Sequence, residues 1–83
     1  MRIRLKLFAT LGQFLPAGAT ANTAEVEVPD GASAHAVLDQ FKVPRSKAHL
    51  VMVNGVYLDA RERDGRALQP GDALAIWPPV AGG

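Results

Sequence analysis

The chain has no cysteine among its 83 residues. That excludes disulfides, a zinc–thiolate centre and any persulfide relay on a side chain. No apolar run approaches the roughly 18 residues of a membrane span, and Met1-Arg2-Ile3-Arg4 leads into alternating residues instead of a signal-peptide stretch. A cytoplasmic location is therefore expected. An excess of charge of either sign is also missing, since the formal net charge is +1 and the pI about 8.2. No global field is available to hold nucleic acid or an anionic membrane by counterion release.

Scarce residue types remove several catalytic classes. The only two histidines, His35 and His49, are far apart in sequence and lack companion ligands at metal-site spacing, so both read as solvated. Ser33 lies near His35 but has no acidic residue placed to orient a triad. Asp59, Glu62 and Asp64 are interleaved with Arg61, Arg63 and Arg66. That pattern reads as a solvated, self-neutralising loop and not as a paired-carboxylate acid–base site.

What is present suits one small globular domain. Hydrophobic residues make up 48% and charged residues 20%, well away from the composition of disorder. The length leaves no room for a second lobe or a large internal cleft. From Met1 to Phe8, Ile3, Leu5 and Leu7 alternate with Arg2, Arg4 and Lys6, which predicts a half-buried strand. Ala9 to Asn22 carries Gly12, Pro16 and Gly18 and reads as a loop, with one helical turn near Thr10 to Leu15 that tucks Leu11, Phe14 and Leu15 inward.

Thr23 to Val28 returns to a period of two, with Val26 and Val28 inward and Glu25 and Glu27 outward. In an antiparallel pair these glutamates would face Arg4 and Lys6. After the Pro29-Asp30-Gly31 turn, Ser33 is a plausible N-cap. Ala34, Val37, Leu38 and Phe41 then form the stripe of an amphipathic helix, which Pro44 stops. Leu50 to Val53 is an apolar run, Asn54-Gly55 predicts a type I′ hairpin turn, and Val56 to Leu58 is the return strand. Gln69-Pro70-Gly71-Asp72 reads as a turn, and Ala73 to Trp77 is the last strand. The order predicts an α+β fold with one helix packed across a mixed sheet.

The tail is the feature that does not look like core-building. Pro78-Pro79 cannot donate sheet hydrogen bonds and fixes two φ angles, so the sheet must end and the chain leave it extended. Val80 and Ala81 taper into Gly82 and Gly83, whose lack of Cβ would let the backbone enter a narrow slot on a partner. The reading is a domain over 1–77 and a stiff arm over 78–83 with a bare carboxylate on Gly83.

The sequence resembles the MoaD/ThiS family of ubiquitin-like sulfur carriers, MoaD most closely. The likeness runs from Leu5-Lys6-Leu7-Phe8-Ala9-Thr10-Leu11 through Val28-Pro29-Asp30-Gly31-Ala32-Ser33 and Val53-Asn54-Gly55. It is most specific from Leu68-Gln69-Pro70-Gly71-Asp72 through Trp77-Pro78-Pro79-Val80-Ala81-Gly82-Gly83. Gly12-Gln13 departs from the basic–acidic pair of many members, and Ala81 stands where some tails carry serine.

The resemblance implies a β-grasp fold and a cycle centred on Gly83. A partner of the ubiquitin-activating type, which holds ATP and Mg²⁺, would adenylate the Gly83 carboxylate. A persulfide donor would then displace AMP and leave a thiocarboxylate. In a MoaD-like protein the sulfur passes to a pterin precursor of molybdenum cofactor, with the arm inserted into a larger, MoaE-like synthase subunit. The chain itself would bind no cofactor and catalyse nothing alone, serving as the sulfur-donating small subunit of a molybdopterin-synthase-like enzyme. Pro78, Pro79, Val80, Ala81 and Gly82 would enter the partner, with Phe8 and Trp77 as aromatic anchors or as core residues. Delivery to a thiazole or another metabolite, a ubiquitin-like modifier that joins lysines of target proteins, and a β-grasp interaction domain with incidental glycines are the other readings.

Overall fold

The computed structural model describes residues 1–79. Strands β1 (Arg2–Leu7), β2 (Thr23–Glu27), β3 (Leu50–Val53), β4 (Val56–Tyr57) and β5 (Ala73–Trp77) form one sheet in the order β2-β1-β5-β3-β4. The alternation of β1 has its expected effect, because Ile3, Leu5 and Leu7 are buried while Arg2 and Arg4 are exposed. β1 pairs antiparallel with β2 in the register Arg2↔Glu27, Arg4↔Glu25 and Lys6↔Thr23. Arg4 thus faces a glutamate as the sequence suggests, but the second glutamate meets Arg2, at 3.1 Å, and Lys6 faces a threonine.

β5 occupies the centre, parallel to β1 and antiparallel to β3. Its buried residues Leu74 and Ile76 line up with Leu5 and Leu7 on one side and with Val53 and Val51 on the other. Helix α1 (Ala34–Gln40) covers this face with Ala34, Val37 and Leu38, and Phe41 packs at the margin. Ser33 caps it by accepting from the Ala36 N–H at 3.1 Å. The helix ends before Pro44: Lys42 turns left-handed at φ 62°, and the Val43 N–H donates to the Leu38 carbonyl at 2.9 Å. That is a Schellman closure formed without glycine.

Two turns meet at the start of β5. Asn54 and Gly55 have φ of 51° and 82°, as a type I′ turn requires, and Gly71 has φ 85°. The Asn54 side chain donates to Asp72 Oδ1 at 2.9 Å and accepts from the Ala73 N–H at 2.9 Å. Asp72 Oδ2 accepts from the Gln69 N–H at 2.8 Å. Asp72 is the sole buried charged side chain among the described residues, and these bonds are what its burial requires.

The segment expected as a self-neutralising loop is instead ordered. Residues Glu62–Gly65 form a short helix, α2. Asp59 Oδ1 accepts from the N–H groups of Arg61 and Glu62, both at 2.9 Å, while Glu62 Oε1 accepts from the Asp59 N–H at 3.2 Å. This is a reciprocal capping box. Nor is His35 solvated: its side chain is 15% exposed and its Nδ1 lies 2.8 Å from Asp64 Oδ1, which ties α1 to α2.

Beside that tie, Arg45 donates from Nη2 and Nε to the two oxygens of Asp39 at 2.8 and 3.2 Å. This fork holds the Asp39 carboxyl below the ordinary value near 3.8. A folded value below the unfolded one means that the contribution is complete above the ordinary carboxylate pKa and is lost as pH falls through the folded value. Both groups are exposed, so the effect is small. Asp39→Asn is expected to lower the urea midpoint slightly at pH 6, and the gap from the parent should close as pH falls below the ordinary carboxylate range. Asp72→Ala should cost about 2 kcal/mol at neutral pH, because it leaves the Gln69 N–H and the Asn54 amide without their acceptor; urea unfolding measures it.

Candidate functional site

The outer face of the sheet, opposite α1, is divided by strand. On the β1/β2 side stand Arg2, Arg4 and Lys6 with Glu25 and Glu27. Toward β3 and β4 the face becomes apolar. Leu50 is paired with Trp77, Met52 with Ala75, and Tyr57 with Met52, so these side chains share the outer face. Lys6 and Arg4 stand beside Ala75 and Ala73 at the boundary. Tyr57 is 52% exposed, while Leu50, Met52 and Trp77 are half-buried.

Phe8 and Trp77, the two aromatics proposed from sequence, are brought together. Their rings stack with centroids 4.4 Å apart and planes 4° from parallel. Neither belongs to the buried core; both lie half-buried on the outer face at the exit of β5. Immediately after Phe8, Ala9 adopts φ 52°. That left-handed conformation costs an alanine about 1 kcal/mol. It turns the chain off the sheet into the 3-10 turn Ala9–Phe14, whose Leu11 plugs the core.

Beside the stack is an open groove of about 490 Å³ lined by Ala9, Thr10, His49, Leu50, Trp77, Pro78 and Pro79. Its walls are mostly hydrocarbon, with His49 and the Thr10 hydroxyl as polar points. Pro78 is half-buried and Pro79 exposed, so the first two residues of the proposed arm form one end of the groove. The remaining site residues from sequence, Val80, Ala81, Gly82 and Gly83, lie outside the described residues. Among those described, no group of three His, Asp or Glu side chains is placed to hold a metal ion, and no helix is long and apolar enough to cross a membrane.

Sequence reasoning did not find Leu50, Met52, Tyr57, Thr10 or His49 as part of this surface. Leu50 to Val53 reads as a continuous apolar run, and only its placement beside β5 shows that alternate members point outward. The long-range pairing carries that information.

A mixed five-stranded sheet with one principal helix across one face and an apolar surface at the exit of its central strand defines a ubiquitin-like β-grasp protein. The ThiS family model matches residues 5–83, and the chain belongs to that family. Among solved structures, the Haloferax volcanii HVO 2177 protein is similar at 27% identity with a TM-score of 0.76, over 100% of this chain and 87% of that one. Small archaeal modifier protein 1 of H. volcanii is 29% identical with a TM-score of 0.65, over 95% of this chain and 98% of that one. A Pyrococcus furiosus protein provisionally assigned as molybdopterin converting factor, subunit 1, is 26% identical with a TM-score of 0.66, over 95% and 98%. No curated protein sequence matches at a significant level.

Trp77 is the single tryptophan, so its emission reports the stack directly. Phe8→Ala should leave the fold intact, shift that emission to longer wavelength as water reaches the indole, and cost about 1 kcal/mol in urea unfolding.

Proposed function

We propose that this protein is a sulfur carrier whose working group is the carboxylate of Gly83. The observation that carries the reading is the family match, which extends through the arm to Gly83. The absence of cysteine agrees with it, since sulfur held on a backbone terminus needs no thiol of the carrier. The reading requires Gly83 to be the terminus in the cell.

The chemistry follows from a carboxylate that is a poor electrophile until activated. An oxygen of the Gly83 carboxylate attacks the α-phosphorus of ATP on an adenylating partner, pyrophosphate leaves, and an acyl-adenylate forms. The terminal sulfur of a donor persulfide attacks the carbonyl carbon and AMP departs. A further thiol of the donor cleaves the resulting S–S bond, is oxidised to a disulfide in doing so, and leaves Gly83 as a thiocarboxylate. ATP, Mg²⁺ and the acid–base groups belong to the partner. This chain supplies the nucleophile, the arm over 78–83, and a surface to be recognised, for which Phe8, Trp77 and the groove beside them are the apolar anchor.

The acceptor we favour is a pterin precursor of molybdopterin, reached in a cytoplasmic complex with a larger synthase subunit. The likeness to the P. furiosus protein and the Pro-Pro-Val-Ala-Gly-Gly arm support this choice. Likeness to small archaeal modifier protein 1 favours a second reading, in which a lysine amine attacks the same acyl-adenylate and forms an isopeptide bond.

Intact-protein mass spectrometry tests the first reading. Incubation with a cognate adenylating enzyme, Mg-ATP and a persulfide donor should raise the mass by the replacement of one oxygen by sulfur at Gly83. A chain lacking Gly82 and Gly83 should show no change. Absence of both the mass gain and AMP release would sink the carrier reading. AMP release with Gly-Gly remnants on target lysines and no thiocarboxylate would favour the modifier.

A further inference from the structure

Arg63 is half-buried on α2, and its guanidinium is spent on backbone carbonyls. Nε donates to Leu58 O at 3.1 Å, Nη1 to Ala48 O at 3.1 Å and Nη2 to His49 O at 3.2 Å. Its carbon lies 5.8 Å from the centroid of the Tyr57 ring. No carboxylate forms a salt bridge with it among the described residues. One planar fork therefore joins three pieces of chain: the approach to β3, the end of the β3–β4 hairpin, and α2. The helix that carries it is itself fixed, by the Asp59/Glu62 capping box and by the Asp64–His35 pair.

One of the peptide units that Arg63 holds, His49–Leu50, lies in the wall of the groove. His49, whose carbonyl accepts from Arg63, donates its own N–H to the Trp77 carbonyl at 2.9 Å. Two hydrogen bonds thus link the guanidinium to the last residue of β5, from which Pro78 departs. His49 and the adjoining Leu50 line the groove together with Pro78 and Pro79. Arg61 and Arg66 flank the same short helix, are exposed, and make no side-chain hydrogen bond or ion pair among the described residues.

We infer that Arg63 is a positioning residue for partner docking: it fixes the His49–Leu50 wall of the groove and the direction in which the arm leaves Trp77. The inference rests on the proposal that an adenylating enzyme recognises this surface. Without the fork, the Ala48 and His49 carbonyls must turn to water, and the wall becomes an ensemble of positions of which only some fit the partner. Affinity falls by the competent fraction. The bound complex, once formed, presents Gly83 as before. The signature is thus a rise in KM at constant kcat, which general loss of folded protein would not give when folded protein is quantified.

The test is steady-state AMP release by the cognate adenylating enzyme, supplied with Mg-ATP and the persulfide donor, with the full chain as varied substrate. Arg63→Ala should raise KM about tenfold with kcat within a factor of two. Arg63→Lys, which keeps the charge and fewer donors, should fall between, and Arg66→Ala should match the parent. An unchanged KM in folded Arg63→Ala, or an equal rise in Arg66→Ala, overturns the inference alone. If Arg63→Ala does not fold, Arg63→Lys carries the comparison, and its KM must then rise at constant kcat. A parent chain that supports no AMP release overturns the carrier reading and this inference with it.

Discussion

Everything at the candidate site of this protein depends on the register of β5. The strand is central, shared between a parallel neighbour and an antiparallel one, and it has only five residues, Ala73–Trp77. A slip by one residue would send Leu74 and Ile76 to the outer face and turn Trp77 into the core. Both ends are held against that slip. At the start, Asn54 and Asp72 lock two turns together through three hydrogen bonds, and the Gly71 and Arg4 N–H groups bond across to the Arg2 and Asp72 carbonyls at 2.8 and 2.9 Å. At the far end, Trp77 stacks on Phe8 and its carbonyl accepts from His49. Residues that look like mere turn-formers in the motifs Val-Asn-Gly and Pro-Gly-Asp thus act on the whole length of the strand.

Much of this was legible from residue order because the determinants are local. Alternation marked β1 and β2, the positive φ demanded of Asn54-Gly55 marked the hairpin, and Ser33 with its apolar stripe marked α1. The parallel β1–β5 pairing was not legible, since the two strands lie some 70 residues apart and periodicity says nothing of neighbours. Phe8 and Trp77 were identified as candidates, but whether they faced core or solvent turned on that pairing. The error around Asp59 to Arg66 has a different cause. Alternating charges describe equally well a loop in water and a helix capped by its own carboxylates, and the Asp59-x-x-Glu62 spacing was the available signal for the latter. Nothing local announces that Arg63 reaches three carbonyls, or that His35 and Asp64 meet across 29 residues.

The outer face shows how a small domain can carry an apolar surface without losing its core. All of the large fully buried side chains sit on or behind the helix-facing side of the sheet. The outer side is therefore free to vary, and it is graded: ion-paired Arg2 and Glu27 at one edge, Lys6 and Arg4 beside the small Ala75 and Ala73, then Trp77, Leu50, Met52 and Tyr57. Half-burial of these apolar groups against one another limits the area left open to water. A partner that covers them gains the remaining apolar burial, and the adjacent cations can fix its orientation.

On the proposed reading as a carrier, the terminal segment faces opposed demands. The reactive end must be thin enough to enter an enclosed site, whereas a long free chain would lose much entropy on being ordered there. Short length and stiffness at the root reduce that loss. Pro78 and Pro79 restrict two φ angles at the point where hydrogen bonding to the sheet ends, and Pro78 is partly buried against the groove. On the inference drawn for Arg63, the direction of departure would be inherited from β5, and through His49 from Arg63, instead of being chosen anew at each encounter. If the chain is the carrier proposed above, its rigid parts, Trp77 and the residues that hold it, are where delivery would be controlled.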